Sequence, residues 1–199
     1  MNLPNQLTVA RMIMVPFFVV FLVNIIVPHH FLIAGLIFAL ASFTDFLDGK
    51  IARKYNLITN FGKFLDPLAD KVLVISALVC FVSLGLAELW FVLIIIAREF
   101  MVTSIRLIAV NTGTVIAANG WGKLKTVSQM AAVVGILIMQ YIQELIDLEM
   151  IPVFSLGSFT SSTVFWFAGN VLVGAAAFFT VISGIVYLVK NWSLFKNSK

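Results

Sequence analysis

The sequence predicts an all-α integral membrane protein with six transmembrane helices, an N-terminal interfacial segment and both termini in the cytoplasm. Of its 199 residues, 61% are hydrophobic and only 11% are charged, and the mean hydropathy is +1.08. A soluble domain of this size could not bury so much apolar surface. Apolar runs of spanning length alternate with polar segments, and the basic residues lie on one side of those runs. Composition, run length and charge asymmetry together predict this class.

The elements follow from the positions of the apolar runs. A mildly amphipathic segment, residues 2–11, comes first and is expected to lie at the membrane interface. The predicted spans are residues 12–27, 31–48, 64–84, 88–110, 124–146 and 165–189. Residues 50–63 are expected to form a basic loop, and residues 144–162 an outer loop with room for a short interfacial helix. The sequence shows no internal repeat, so we expect residues 1–199 to form a single domain.

The distribution of charge predicts the orientation. None of the 13 Lys and Arg residues lies in the three segments opposite the N-terminus, whereas Glu88, Glu144, Asp147 and Glu149 all do. The positive-inside rule then places both termini in the cytoplasm, with a cell membrane as the expected location. The net charge of +4 comes from residues that flank membrane spans, which favours anionic lipid over nucleic acid as a partner.

Two smaller features have simple explanations. The pair His29 and His30 breaks the first apolar run and could suggest a metal site. Because no acidic or cysteine residue is adjacent, a hydrated loop is the favoured interpretation. The single cysteine, Cys80, lies in an apolar run and is expected to fill the core.

The most informative stretch lies at the junction of the second and third spans. It contains the carboxylates Asp45, Asp48, Asp66 and Asp70, spaced three and four residues apart within each pair. On helices, each pair lies on one face, and an antiparallel hairpin would bring all four together. Four such anions repel one another unless a cation lies among them, and oxygen-only ligands favour magnesium or manganese over zinc. Asp66 before Pro67 is also typical of a helix N-cap.

Neighbouring residues indicate phosphoryl chemistry. Gly49 and Gly62 allow close approach of backbone or ligand, and Arg53 can bind a phosphate through two hydrogen bonds. An EF-hand is the nearest competing motif. It requires oxygen ligands at alternate positions, which Phe46 and Leu47 cannot supply.

The stretch Asp45-x2-Asp48-Gly49-x2-Ala52-Arg53-x8-Gly62-x3-Asp66-x3-Asp70 resembles the signature of the CDP-alcohol phosphotransferase family at every defined position. Those membrane enzymes attach an alcohol to the phosphatidyl group of a CDP-linked lipid and release CMP. The resemblance implies one or two Mg²⁺ (or Mn²⁺) ions bound by the four aspartates, with Asp70 as general base. It also implies a binding site for the CDP-lipid formed by Gly49, Ala52, Arg53 and Gly62.

The N-terminal segment extends the resemblance. The pattern Pro4-Asn5-x2-Thr8-x2-Arg11 is similar to the start of bacterial family members that use sn-glycerol 3-phosphate. It implies that Asn5 and Thr8 contact the nucleotide, although helix capping explains these two residues equally well.

Charges within the fourth span suggest how an acceptor is bound. Burying a charge in a span costs about 2.5–3.5 kcal/mol, so Arg98, Glu99 and Arg106 are candidates for function. Residues 97–106 resemble the same bacterial family members, which implies that Arg98, Arg106 and Lys123 bind an acceptor phosphate. Glu99 has a structural alternative, an ion pair with an arginine of a neighbouring helix.

The expected reaction is therefore transfer of the phosphatidyl group from CDP-diacylglycerol to sn-glycerol 3-phosphate, by a homodimer in contact with membrane lipid. A family member that uses another alcohol, such as a phosphatidylinositol-phosphate or cardiolipin synthase, is the alternative. A divalent-cation transporter is a distant alternative, because transport needs a polar path through both leaflets and the outer halves of these spans are almost wholly apolar.

Overall fold

The structure, a computed structural model, describes residues 3–55, 60–111 and 120–191. Within these ranges the side chains at 3–4, 46, 48–55, 60–68, 70, 107–111 and 156 lie outside the description. The described part forms six helices and one short hairpin. The elements are α1 (Leu3–Val23), α2 (His30–Tyr55), α3 (Asn60–Ser83), α4 (Leu89–Asn111), α5 (Gly120–Asp147), β1 (Ser155–Leu156), β2 (Phe159–Thr160) and α6 (Ser161–Lys190).

The first three helices share an apolar core. Phe18 of α1 packs against Phe38 of α2 with ring centroids 5.7 Å apart, and Leu73 and Phe81 of α3 belong to the same buried cluster. In a lipid environment such contacts stabilise the helices through close packing, because lipid tails are as apolar as the side chains themselves.

Helices α5 and α6 pack closely through small residues. A Cβ atom at Gly169 of α6 would lie 3.3 Å from Cγ1 of Ile136, and one at Gly135 of α5 would lie 2.7 Å from Cδ1 of Leu172. A larger residue at Gly135 would force Leu172 to move. The glycines therefore set how close these two helices lie.

Hydrogen bonds between helices show which helix ends lie together. At one end of the bundle, the backbone N–H of His30 donates to Glu144 Oε1 (3.0 Å), which joins the start of α2 to the end of α5. At the same end, the N–H of Glu88 before α4 donates to Oδ1 of Asn170 on α6 (2.8 Å). The opposite end contains Asp45 and is called the aspartate end below.

The six predicted spans each correspond to one helix of the described part. Three stretches, Asn5–Val23, Gly120–Asp147 and Ser161–Lys190, are long and apolar enough to cross a membrane by length and composition. Shorter apolar helical stretches cover His30–Asp45 and Lys71–Ser83. These are features of a helical integral membrane protein. The number of spans and the location of the termini stay predictions.

The predicted boundaries beside the aspartates are wrong. Helix α2 continues to Tyr55 and α3 begins at Asn60, so most of the expected 50–63 loop is helical. Asp66 consequently lies inside α3, and its interpretation as an N-cap is also wrong. Loss of apolar character marks where a helix would leave the bilayer, but Ala, Lys and Arg favour helix and continue it.

The N-terminal segment and the outer loop also differ from expectation. Residues 3–11 are continuous with the first span in α1 and do not form a separate segment. The 144–162 segment contains the β1–β2 hairpin in place of a short helix, with Gly157 at φ +64° in its turn. Glycine adopts this backbone conformation without steric cost, which favours the tight turn. His30 is buried at the start of α2, so the interpretation as a hydrated loop is wrong for that residue.

Candidate functional site at the aspartate end

Asp45 is bound by Arg11, which was not among the predicted site residues. Arg11 of α1 forms an ion pair with Asp45 of α2, and their side chains are 1% and 43% exposed, respectively. An ion pair with a buried guanidinium restricts the orientation of the carboxylate. Asp45 is therefore held in place on one side and open on the other.

Asn5 and Thr8 lie on the same face of α1 as Arg11. The three residues are spaced three apart and all are buried, and α1 packs against α2 and α3. The structure thus places both predicted nucleotide-binding residues beside the residue that binds Asp45. The spacing of Thr8 and Arg11 in the N-terminal pattern was the signal that could have identified Arg11.

The other motif residues are described only as helix positions. Asp48, Gly49, Ala52 and Arg53 lie in α2 and Gly62, Asp66 and Asp70 in α3. Their side chains lie outside the described part. Among the side chains that are described, no three His, Cys, Asp or Glu residues are grouped closely enough to bind a metal ion. The metal site therefore stays a prediction.

A buried carboxylate joins three helices near the second aspartate pair. Glu99 of α4 is 5% exposed and forms an ion pair with Lys125 of α5. Its Oε1 lies 3.5 Å from Nη1 of Arg98, and its Oε2 lies 4.0 Å from Nζ of Lys71 on α3. Lys71 also donates to the hydroxyl of Thr103. Lys71 is the residue that directly follows Asp70, the predicted general base, in the chain.

The lysine that faces the cluster is Lys125, whereas the role predicted for Lys123, binding of an acceptor phosphate, stays a prediction. Lys125 is 6% exposed, whereas Lys123 is exposed. Two residues correspond to about 200° around a helix, so these two lysines lie on opposite faces of α5. Lys125 lies four residues before buried Gln129, and this polar i,i+4 pair was the signal that could have identified it. The structural alternative for Glu99, an ion pair with an arginine of a neighbouring helix, is wrong in the partner, because the neighbouring helix supplies Lys125.

The two predicted arginines of α4 have different environments. Arg98 is largely buried, with a side chain that is 11% exposed, and its Nη2 donates to Oγ of Ser183 on α6 (2.7 Å). Arg106 is exposed but lies within electrostatic range of Arg98. Cationic groups thus gather at the aspartate end from α1, α3, α4 and α5, an arrangement suited to anionic substrates.

Comparisons with a family model and with known proteins agree on one family of enzymes. The family model described as CDP-alcohol phosphatidyltransferase matches residues 1–182. A Bacillus subtilis protein named CDP-diacylglycerol–glycerol-3-phosphate 3-phosphatidyltransferase is 41% identical over 208 aligned residues, which cover 99% of this chain and 98% of the relative. A Rickettsia bellii protein of the same name is 36% identical, covering 94% and 93%. A Mycobacterium tuberculosis protein named probable phosphatidylglycerophosphate synthase is 38% identical, covering 95% and 81%.

Proposed function

Because this chain belongs to the CDP-alcohol phosphatidyltransferase family, we propose that it makes phosphatidylglycerophosphate. It transfers the phosphatidyl group of CDP-diacylglycerol to sn-glycerol 3-phosphate and releases CMP. The observation that carries this function is the 36–41% identity, over at least 94% of this chain, to relatives named for that reaction. The activity belongs to phospholipid biosynthesis.

The proposed topology has six membrane spans, with both termini and the aspartate end in the cytoplasm of a bacterial cell. The one-sided distribution of basic residues supports it. CDP and glycerol 3-phosphate are polar and cytosolic, whereas the diacylglycerol of the donor stays in the bilayer. A site at the helix ends gives access to both.

The proposed metal ligands are Asp45, Asp48, Asp66 and Asp70, holding one or two Mg²⁺ or Mn²⁺ ions. The donor set consists of carboxylate oxygens, which suits these ions. Asp45 fits the role because Arg11 orients it while its side chain remains 43% exposed. When bound, such an ion neutralises charge on the diphosphate and on the departing CMP.

In the proposed reaction, Asp70 accepts the proton of the acceptor hydroxyl. The hydroxyl oxygen forms a bond to the phosphorus that carries diacylglycerol, and the bond from that phosphorus to the CMP oxygen breaks. The residues proposed to hold the CDP-lipid are Asn5, Thr8, Gly49, Ala52, Arg53 and Gly62. Holding donor and acceptor in line makes a covalent enzyme intermediate unnecessary.

The proposed binding residues for the acceptor phosphate are Arg98, Arg106 and Lys123. The burial of Arg98 beside Glu99 and its proximity to Arg106 support the first two. Lys123 lies on the exposed face of α5.

The test uses the purified full chain with CDP-diacylglycerol and a panel of acceptors. We expect CMP release with glycerol 3-phosphate and little with glycerol, serine or inositol. A preference for an unphosphorylated alcohol, or for phosphatidylglycerol, would assign the chain to a different synthase of the family. Divalent-cation flux in proteoliposomes without CMP release would support the transporter instead.

A further inference from the structure

Helices α4 and α6 approach closely at Gly184, as they also do where Gly174 of α6 faces Phe91 of α4. A Cβ atom at Gly184 of α6 would lie 3.2 Å from Cγ of Arg98 and 3.4 Å from Cε of Met101. Because glycine has no side chain, the alkyl part of Arg98 can lie against the backbone of α6. The guanidinium is thereby placed between the two helices.

The hydrogen bonds of that guanidinium are incomplete. Nη2 donates to Oγ of Ser183, and Nη1 lies 3.5 Å from the carboxylate of Glu99, which also binds Lys125. Nε of Arg98 is buried and has no hydrogen-bond partner within the described part of the chain. A guanidinium carries five N–H donors, so Arg98 can still donate to an anion.

Tyr187 presents a second unused donor at the same place. It lies four residues after Ser183, on the same face of α6, and is 5% exposed. Its ring packs against Val102 and Ile105 of α4. The phenol is within electrostatic range of Arg98, and its oxygen is buried without a hydrogen-bond partner among the described residues. A buried donor without a hydrogen-bond partner is destabilising. One bound anion could accept from both this hydroxyl and Nε of Arg98.

We propose that Tyr187 is a specificity-determining residue that donates its hydroxyl hydrogen to an oxygen of the acceptor's phosphate. Arg98 donates to the same phosphate from α4. Ser183, which accepts from Arg98, is a positioning residue that keeps the guanidinium between the helices. This inference rests on the proposed function, because it names a further group that recognises the phosphate monoester.

The test compares Tyr187→Phe with the unaltered enzyme. The substitution removes one oxygen and keeps the ring that packs on Val102 and Ile105, so the fold is preserved. We expect the KM for sn-glycerol 3-phosphate to rise about ten- to a hundredfold, as for loss of one hydrogen bond to a charged group. The KM for CDP-diacylglycerol should stay within about twofold, because the proposal places no contact with that lipid on Tyr187.

Thermal unfolding supplies a second measurement. Without substrate, Tyr187→Phe should unfold at the same temperature as the unaltered enzyme or higher, because it removes an unpaired buried hydroxyl. Glycerol 3-phosphate alone should stabilise the variant less than the unaltered enzyme. The matched control is Tyr141→Phe. Tyr141 lies in the part of α5 that is farthest from the aspartate end, where its ring contacts His29. This control should show neither effect.

Three results would overturn the proposal. These are an unchanged KM for glycerol 3-phosphate, an equal rise in both KM values, and a lower unfolding temperature of the substrate-free variant. The last would reveal a structural partner for the hydroxyl. After any of these three results, the proposed function still stands if the unaltered enzyme uses glycerol 3-phosphate. If the unaltered enzyme uses only unphosphorylated alcohols, both the proposed function and this inference fail.

Discussion

Replacing Lys125 by alanine should destabilise the protein, because it leaves the buried carboxylate of Glu99 without its ion-pair partner on α5. Removing one member of a buried pair costs about 3–5 kcal/mol. Nη1 of Arg98 at 3.5 Å and Nζ of Lys71 at 4.0 Å remain near that carboxylate. These two cationic groups offset part of the loss. We therefore expect the free energy of unfolding to fall by about 2–3 kcal/mol, slightly less than the usual cost. For a chain of this size the unfolding temperature should fall by about 4–12 °C.

The assay is thermal unfolding of the purified variants in lipid nanodiscs. Lys123→Ala is the matched control, since it changes the same residue type on the exposed face of α5. Its effect should stay within about 0.5 kcal/mol. The double variant Glu99→Gln/Lys125→Met removes both charges and should be more stable than Lys125→Ala alone. Equal effects of the two alanine substitutions, or a double variant no better than Lys125→Ala, would refute the assigned ion pair.

The remaining predictions concern topology, the helix cap and the metal. Single cysteines at Asn56 and Ser155 should label from opposite faces of sealed cells, and labelling of both from outside would contradict the proposed topology. Glu144→Ala should lower stability by about 1 kcal/mol in thermal unfolding, because the N–H groups of His30 and Phe31 lose their acceptor; an unchanged unfolding temperature would show that another group replaces it. Activity should require added Mg²⁺ or Mn²⁺, and Asp70→Asn should bind CDP-diacylglycerol but release no CMP. Turnover in excess chelator, or a near-normal rate in this variant, would count against the proposed mechanism.

Local patterns in the sequence were sufficient to predict the class of protein, the number of helices and the family. An apolar run implies a buried or lipid-facing helix because the backbone must satisfy its own hydrogen bonds there. The aspartate motif resembles the family signature at every defined position, and that match lies within one short stretch. Helix ends were less predictable, as α2 and α3 show, because charged and small residues continue a helix after the apolar run ends.

Only the tertiary structure decided which polar side chains meet. Helical spacing predicts that Lys123 and Lys125 lie on opposite faces of α5. It does not predict which of these faces is turned toward α4. The ion pairs of Arg11 with Asp45 and of Lys125 with Glu99 join residues 34 and 26 positions apart in the chain. Gly184 brings α6 close to Arg98, and the nearby hydroxyl of Tyr187 has no hydrogen-bond partner among the described residues. Each of these contacts follows from how the helices rotate and approach one another. That geometry is set by packing over the whole bundle, and no single segment of the sequence contains it.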